Sequence, residues 1–97
     1  MIEAVFYLHK KDVIGYDISG HAHFATKGSD IVCAAVSVLS QAVTNGLTNA
    51  VLNDDNGISV SLIEPNEKNK VLCGMLMYSL NEISNQYPEN LKVKLHG

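Results

Sequence analysis

Tryptophan is absent from the 97 residues, and only two prolines and two cysteines occur. Four Tyr and two Phe must therefore supply all the aromatic packing. No stretch approaches the roughly 18 uninterrupted apolar residues that a membrane-spanning helix needs. The chain opens Met-Ile-Glu-Ala-Val-Phe, without a basic segment leading into a long apolar one, so no secretory leader is expected. A cytoplasmic, reducing setting is the consistent expectation, with Cys33 and Cys73 as free thiols rather than a disulfide. Runs of Lys or Arg are missing as well, and the formal net charge is -3. A protein that holds nucleic acid by its phosphates usually carries a basic face, so direct nucleic-acid binding is not expected. Low-complexity segments and internal repeats are also lacking.

The composition that remains, 46% hydrophobic and 18% charged, describes a folded globule. Its length makes residues 1–97 a single domain. So small a domain buries a modest share of its surface. Covering an apolar face with a second copy would add stability, which favours a homo-oligomer.

Residues 1 to 8 alternate, with Ile2, Ala4, Phe6 and Leu8 set against Glu3, Val5 and Tyr7, which is a strand pattern. His9 to Asp12 is a polar turn, and Val13 to Ser19 resumes with Ile14, Tyr16 and Ile18 on one side, completing a hairpin. Gly20 to Ser29 has no steady period and reads as a loop. From Asp30 to about Leu52 the residues Val32, Val36, Leu39, Val43 and Leu47 recur at helical steps. Ser29 or Asp30 suits the N-cap, because its side-chain oxygen accepts from a free first-turn N–H. Gly46 inside this helix either weakens it or permits a close helix contact.

Asn53 to Gly57 is a turn, after which Ile58, Val60 and Leu62 alternate as a third strand. Pro65-Asn66-Glu67 opens a second helix with a face of Leu72, Leu76, Leu80, Ile83 and Tyr87, and Pro88 stops it. Leu91, Val93 and Leu95 alternate with Lys92, Lys94 and His96 in a last strand. The predicted order is ββαβαβ. It describes an α+β fold in which two helices pack on one face of a mainly antiparallel four-stranded sheet. The other face is then solvated or paired with another subunit.

The segment Gly20-His21-Ala22-His23…Gly28-Ser29-Asp30-Ile31-Val32-Cys33-Ala34-Ala35-Val36-Ser37 stands apart. It sets a His just past a strand end and a Cys in the first turn of the longest helix. The helix N-terminus, with its partial positive charge and free N–H groups, favours a thiolate. A neighbouring imidazole can take the proton. The same N–H groups can donate to an oxyanion formed when the thiolate attacks a carbonyl. A Cys on an Ala/Val-rich helix is, by pattern alone, more often a small buried hydrophobe. Two histidines between glycines, leading into an acidic helix start, are poorly explained by packing.

Gly-His-Ala, a short loop with Gly, then Asp-Ile-Val-Cys-Ala-Ala-Val-Ser resembles the ribosomal-processing cysteine protease family, Prp. The resemblance covers the whole chain, including an N-terminal strand of the Met-Ile-x-Ala-x-Phe kind and a His-to-Cys spacing of twelve residues. It implies a homodimeric bacterial enzyme with a Cys/His dyad and no cofactor. Its substrate would be the N-terminal extension of the large-subunit ribosomal protein twenty-seven. Carried over by position, His21 is base and proton donor and Cys33 is nucleophile. Gly20, Asp30 and Ser37 also fall on motif positions and receive supporting roles. Asp30 would cap the helix or orient His21, and Ser37 would contact the dyad or the substrate. An ordinary cap and a small packing residue are the plain alternatives for these two. The loop from Ala22 to Ser29 is expected to close over the peptide.

Other readings rank behind. His21, His23 and Cys33 would make three zinc ligands, but no second His or Cys cluster accompanies them, and no metal is expected. A redox protein usually needs a resolving Cys, and Cys73 is distant in sequence. A non-catalytic ribosome-assembly or peptide-binding module would not need His21, Asp30 and Cys33 together. Cys73, Met75 and Met77 read as packing residues. His9 and His96 have no partners in sequence. Asn53 to Gly57 lacks the bidentate Glu that closes a calcium loop.

Overall fold

The alternation at the N-terminus becomes strand β1 (Ile2–His9), and the next apolar run becomes β2 (Asp12–Ser19). The computed structural model describes residues 1–20, 29–53 and 57–97. Lys10 and Lys11 both take positive φ, 51° and 71°. A turn of two such residues matches the twist of an antiparallel hairpin. One detail departs from simple alternation. Tyr7 faces Gly15 whereas Leu8 faces Val13, so Ile14 is the extra residue of a bulge. Ile14 is consequently exposed instead of lying in line with Tyr16 and Ile18. Its carbonyl accepts the Ile63 N–H at 3.0 Å.

Helix α1 (Ser29–Gly46) ends at Gly46, not near Leu52. Asn49 adopts a left-handed φ of 52°, and Val51–Asn53 form a short strand β3 against β4 (Ile58–Ser61). A run of Leu, Thr, Asn, Ala and Val suits a helix or an edge strand equally by composition. Tertiary bonds decide between them. Asn69, in helix α2 (Glu67–Gln86), accepts the Thr48 N–H at 3.1 Å and donates to the Thr48 carbonyl at 2.6 Å. These bonds hold the backbone of residue 48 out of a helical ladder. Gly46 makes the close contact its position suggested, since a Cβ there would lie 3.0 Å from Leu72 of α2.

The sheet has five strands in the order β3-β4-β2-β1-β5, with β5 spanning Leu91–His96. β5 runs parallel to β1, Ile2 lying opposite Leu91 and Tyr7 opposite His96. The fold is thus α+β with a mixed five-stranded sheet in the order ββαββαβ, which corrects the expected four-stranded, mainly antiparallel ββαβαβ arrangement. Helix α2 carries the chain from β4 past β2 and β1 to the far edge. A crossover of that kind can deliver a parallel strand, whereas a tight turn cannot. Hydrophobic alternation records which face a residue takes and says nothing of strand direction.

Ile2, Ala4 and Phe6 of β1 share one face with Tyr16, Ile18, Val60 and Leu91. Val32, Val36 and Val43 of α1 and Cys73, Leu76 and Leu80 of α2 close over it, so both helices cover the same side. The Phe6 and Tyr16 rings lie 5.7 Å apart. The Tyr16 hydroxyl meets Thr44 Oγ1 at 2.6 Å, tying sheet to α1, and burial pushes this phenol up to about 12. The opposite face is polar. Lys94 pairs with Glu3 at 2.8 Å, and Asp17 accepts from Tyr7 at 3.0 Å and from Ser59 at 2.6 Å.

The start of α2 is held by its own N-cap, as Asn66 Oδ1 accepts the Asn69 N–H at 2.8 Å. Asn69 also donates to the Glu64 carbonyl at 2.8 Å. Asn69→Ala leaves two carbonyls and an N–H without their partner, so stability is expected to fall by about 2–4 kcal/mol. Urea unfolding with an unchanged m-value reads this directly. A shift smaller than about 1 kcal/mol would remove Asn69 from this anchoring role.

Candidate active site

Cys33 is the fifth residue of α1, at the start of its second turn, one step later than the sequence suggested. The N–H groups left unpaired by helix geometry lie in the first turn, before it. Cα–Cβ bonds in a helix tilt toward the N-terminus, so a side chain at this position leans back toward those donors. Cys33 is half-buried and free, and it borders a cavity of about 790 Å³.

One wall of the cavity is a stripe of α1, with Cys33, Val36, Ser37, Ser40 and Gln41 recurring at three- and four-residue steps. The other wall comes from strand ends, namely Ile2, Ile18, Ser19, Gly20, Gly57 and Ile58. Gly20 and Gly57 have φ of 93° and 114°, values that side chains rarely tolerate. A Cβ on Gly20 would run into the Met1 carbonyl, and one on Gly57 into the Ile18 carbonyl. Both glycines therefore let the chain pass close to the start of β1 or the end of β2 at the cavity wall. None of these lining residues is charged.

Of the residues predicted from sequence, Gly20, Cys33 and Ser37 come together at this cavity. Ser37 follows Cys33 by one helical turn, the spacing at which side chains share a face. Asp30 is exposed in the first turn of α1 and is not among the lining residues. An acidic group there complements the helix dipole. His21 and His23 lie outside the described residues, as does the loop from Ala22 to Gly28. Cys73 has a different setting. It is buried in the core, and that burial pushes its thiol up to about 11.

Sequence reasoning missed Ser40, Gln41 and Gly57. The first two had a legible signal. Cys33, Ser37, Ser40 and Gln41 form a polar stripe at helical spacing in the middle of a helix otherwise apolar from Ile31 to Val43. Gly57 read only as the end of a turn, because nothing in the sequence shows which strand its backbone approaches.

A half-buried thiol beside a helix N-terminus, on a groove whose described lining residues are uncharged, suits attack on the carbonyl of a neutral, extended chain. Among the described residues, no helix is long and apolar enough to cross a membrane. The family model for cysteine protease Prp matches residues 1–92. The ribosomal processing cysteine protease Prp of Bacillus subtilis is 32% identical over 102 residues, covering 88% of each chain. The ribosomal processing protease Prp of S. aureus, solved with a covalently linked product peptide, superposes with a TM-score of 0.81 at 27% identity. That match covers 98% of this chain and 99% of the other. A second structure of the S. aureus protease, with a substrate peptide, gives a TM-score of 0.81 at 25% identity and the same coverage.

Proposed function

Because the chain belongs to the cysteine protease Prp family, we propose that it removes the N-terminal extension of the bacterial large-subunit ribosomal protein twenty-seven, using Cys33 and His21. The observation that carries this reading is Cys33 on the rim of the cavity that runs along α1. The Cys33 thiolate attacks the scissile carbonyl, forming a C–S bond as the carbonyl electrons move to oxygen. Backbone N–H groups of the first turn of α1 donate to that oxyanion. His21 gives its proton to the leaving amine as the C–N bond breaks. Water, deprotonated by the same imidazole, then cleaves the thioester and frees Cys33. Gly20 sets the chain on its path past the start of β1, Asp30 complements the dipole in the first turn of α1 or orients His21, and Ser37 touches substrate.

The enzyme works in the cytoplasm as a homodimer in this reading. The outer sides of the two helices support the dimer. Val38, Met75 and Tyr78 are 67%, 59% and 68% exposed on these helices, and Met75 lines a shallow apolar groove with Leu39 and Leu72. Solitary apolar residues on a surface are ordinary, but a contiguous patch marks an interface.

The substrate assignment is checked with the ribosomal protein from the same genome. A peptide spanning its N-terminal junction is expected to be cut once, between an aromatic and a small residue, as read by mass spectrometry. A ribosomal protein without an extension, or a junction peptide left whole, would sink the substrate but not the dyad.

A further inference from the structure

A net charge of -3 counts against a phosphate-binding face only where the charges are evenly spread, and the fold spreads them unevenly. β5 lies beside β1 with Lys92 opposite Glu3, Lys94 opposite Val5 and His96 opposite Tyr7. Just past the end of β1, the exposed Lys10 and Lys11 form the hairpin turn. Lys92, Lys94, Lys10 and Lys11 thus follow one edge of the sheet over about 23 Å, at about 3.3 Å per residue. Lys94 pairs with Glu3, whereas Lys10, Lys11 and Lys92 form no ion pair among the described residues. The Lys94 hydrogen bond and charge, helped by Lys92, hold the Glu3 carboxyl below its usual range, which puts Lys92 on the same outer face. Asp17, further across that face, already accepts from Tyr7 and Ser59. Asp30, Glu67 and Glu82 belong to the helices, on the other side of the sheet. Glu89 stands at the opposite end of β5 from the turn.

A pair of flat rings sits within this row. Tyr7 and His96 stack with centroids 5.7 Å apart and planes 20° apart. The Tyr7 hydroxyl donates to Asp17 at 3.0 Å, which fixes the orientation of its ring. His96 is exposed, and β5 is the last strand of the sheet, so no strand covers the side of His96 away from Tyr7. An exposed ring on an open sheet, with cations on both sides of it, has the makings of a base-stacking platform flanked by phosphate contacts.

We propose that this outer edge, from Lys92 to the Lys10–Lys11 turn, binds single-stranded RNA, with a base stacked on His96 and the lysines on the flanking phosphates. A duplex fits poorly, because its bases are stacked on one another and cannot reach the ring. Ser59 and Ser61, further across the same face, offer hydroxyl partners to ribose 2′-hydroxyls. This binding goes beyond the protease reading and does not depend on it. The Cys33 cavity opens on the helix side of the sheet, so peptide and RNA are held on different faces.

The test uses the full chain and a fluorescein-labelled oligouridylate of about eight nucleotides, with Kd read by anisotropy. Three phosphate contacts give a log–log salt slope of about -2, so affinity is expected to fall about twentyfold between about 50 and 200 mM salt. Exchanging Lys10, Lys11 and Lys92 together for Gln is expected to weaken binding at least tenfold and to flatten that slope. His96→Ala is expected to weaken binding fivefold or more with the slope unchanged, while His96→Phe, which keeps a stacking ring, holds affinity within about twofold. All these variants are expected to cut the junction peptide at the wild-type rate. Several results would each overturn the proposal: no binding at about 50 mM salt, or full affinity in the triple Lys variant or in His96→Ala. Equal affinity for a polyglutamate peptide, for duplex RNA or for the matching single-stranded DNA would do the same. So would a loss of peptide cleavage that parallels the loss of RNA binding, since the effect would then be one of folding. A wild-type chain that binds the RNA but leaves the junction peptide whole rejects the protease reading and supports the RNA face.

Discussion

Replacing Cys33 by Ala is expected to lower kcat on the junction peptide by more than about 10⁴-fold while peptide affinity stays within about threefold. The loss is large because no second thiol is among the described residues that line the cavity. Ser37 lies on the same stripe, but an unactivated hydroxyl is a far weaker attacking group than a thiolate. Affinity survives because the groove walls, not the sulfur, hold the peptide. Stability should change by about 1 kcal/mol or less, since Cys33 is only half-buried and a single heavy atom is removed. Cys73→Ala is the inverse experiment. It should keep turnover and lower stability by about 1–3 kcal/mol, because its sulfur fills a core position between sheet and α2. Iodoacetamide at neutral pH separates the two thiols in one step. It should modify Cys33 and abolish activity while the buried Cys73, pushed up to about 11, remains unmodified. Cleavage that persists in Cys33→Ala, or inactivation that tracks Cys73, would refute the assignment.

Legibility in the sequence followed the physics of each element. β1, β2, β4 and β5 alternate strongly enough to be read directly, and α2 carries both its start signal at Asn66 and its stop at Pro88. β3 was not legible. Residues 51–53 are exposed and owe their strand to the edge of β4 and to the grip of Asn69 on Thr48. The parallel pairing of β5 with β1 was hidden for a related reason, since direction is set by where α2 crosses and not by any residue of β5. The bulge at Ile14 looked like regular alternation because a slip of one residue leaves no mark on composition. At the site, motif positions found Cys33 and Ser37 on the helix wall, but of the facing wall only Gly20. That wall is built from the ends of β1, β2 and β4, which are far apart in sequence and meet only in the sheet. Local signals therefore singled out Cys33, and only the fold revealed the groove beside it.

His21→Ala is expected to lower kcat/KM by about 10²–10⁴-fold, and His23→Ala by less than about threefold. The argument for choosing between them is one of connectivity. His21 is bonded directly to Gly20, and Gly20 borders the cavity that holds Cys33. By covalent connectivity His21 is one link from Gly20 and His23 is three. Gly20 itself is fixed, because its φ of 93° and the nearby Met1 carbonyl exclude any larger residue. A base must hold one geometry through attack, protonation of the leaving amine and deacylation. Direct attachment to Gly20, at a strand end, serves that need better than a place three links on. The kinetic pattern distinguishes base from ligand. If His21 is the base, its loss falls on kcat, the His23 variant behaves as wild type, and a chelator changes nothing. If His21, His23 and Cys33 instead bind zinc, both histidine variants fail alike, EDTA abolishes activity and added zinc restores it. Activity that survives His21→Ala but not His23→Ala would transfer the base to His23 and leave Cys33 in place.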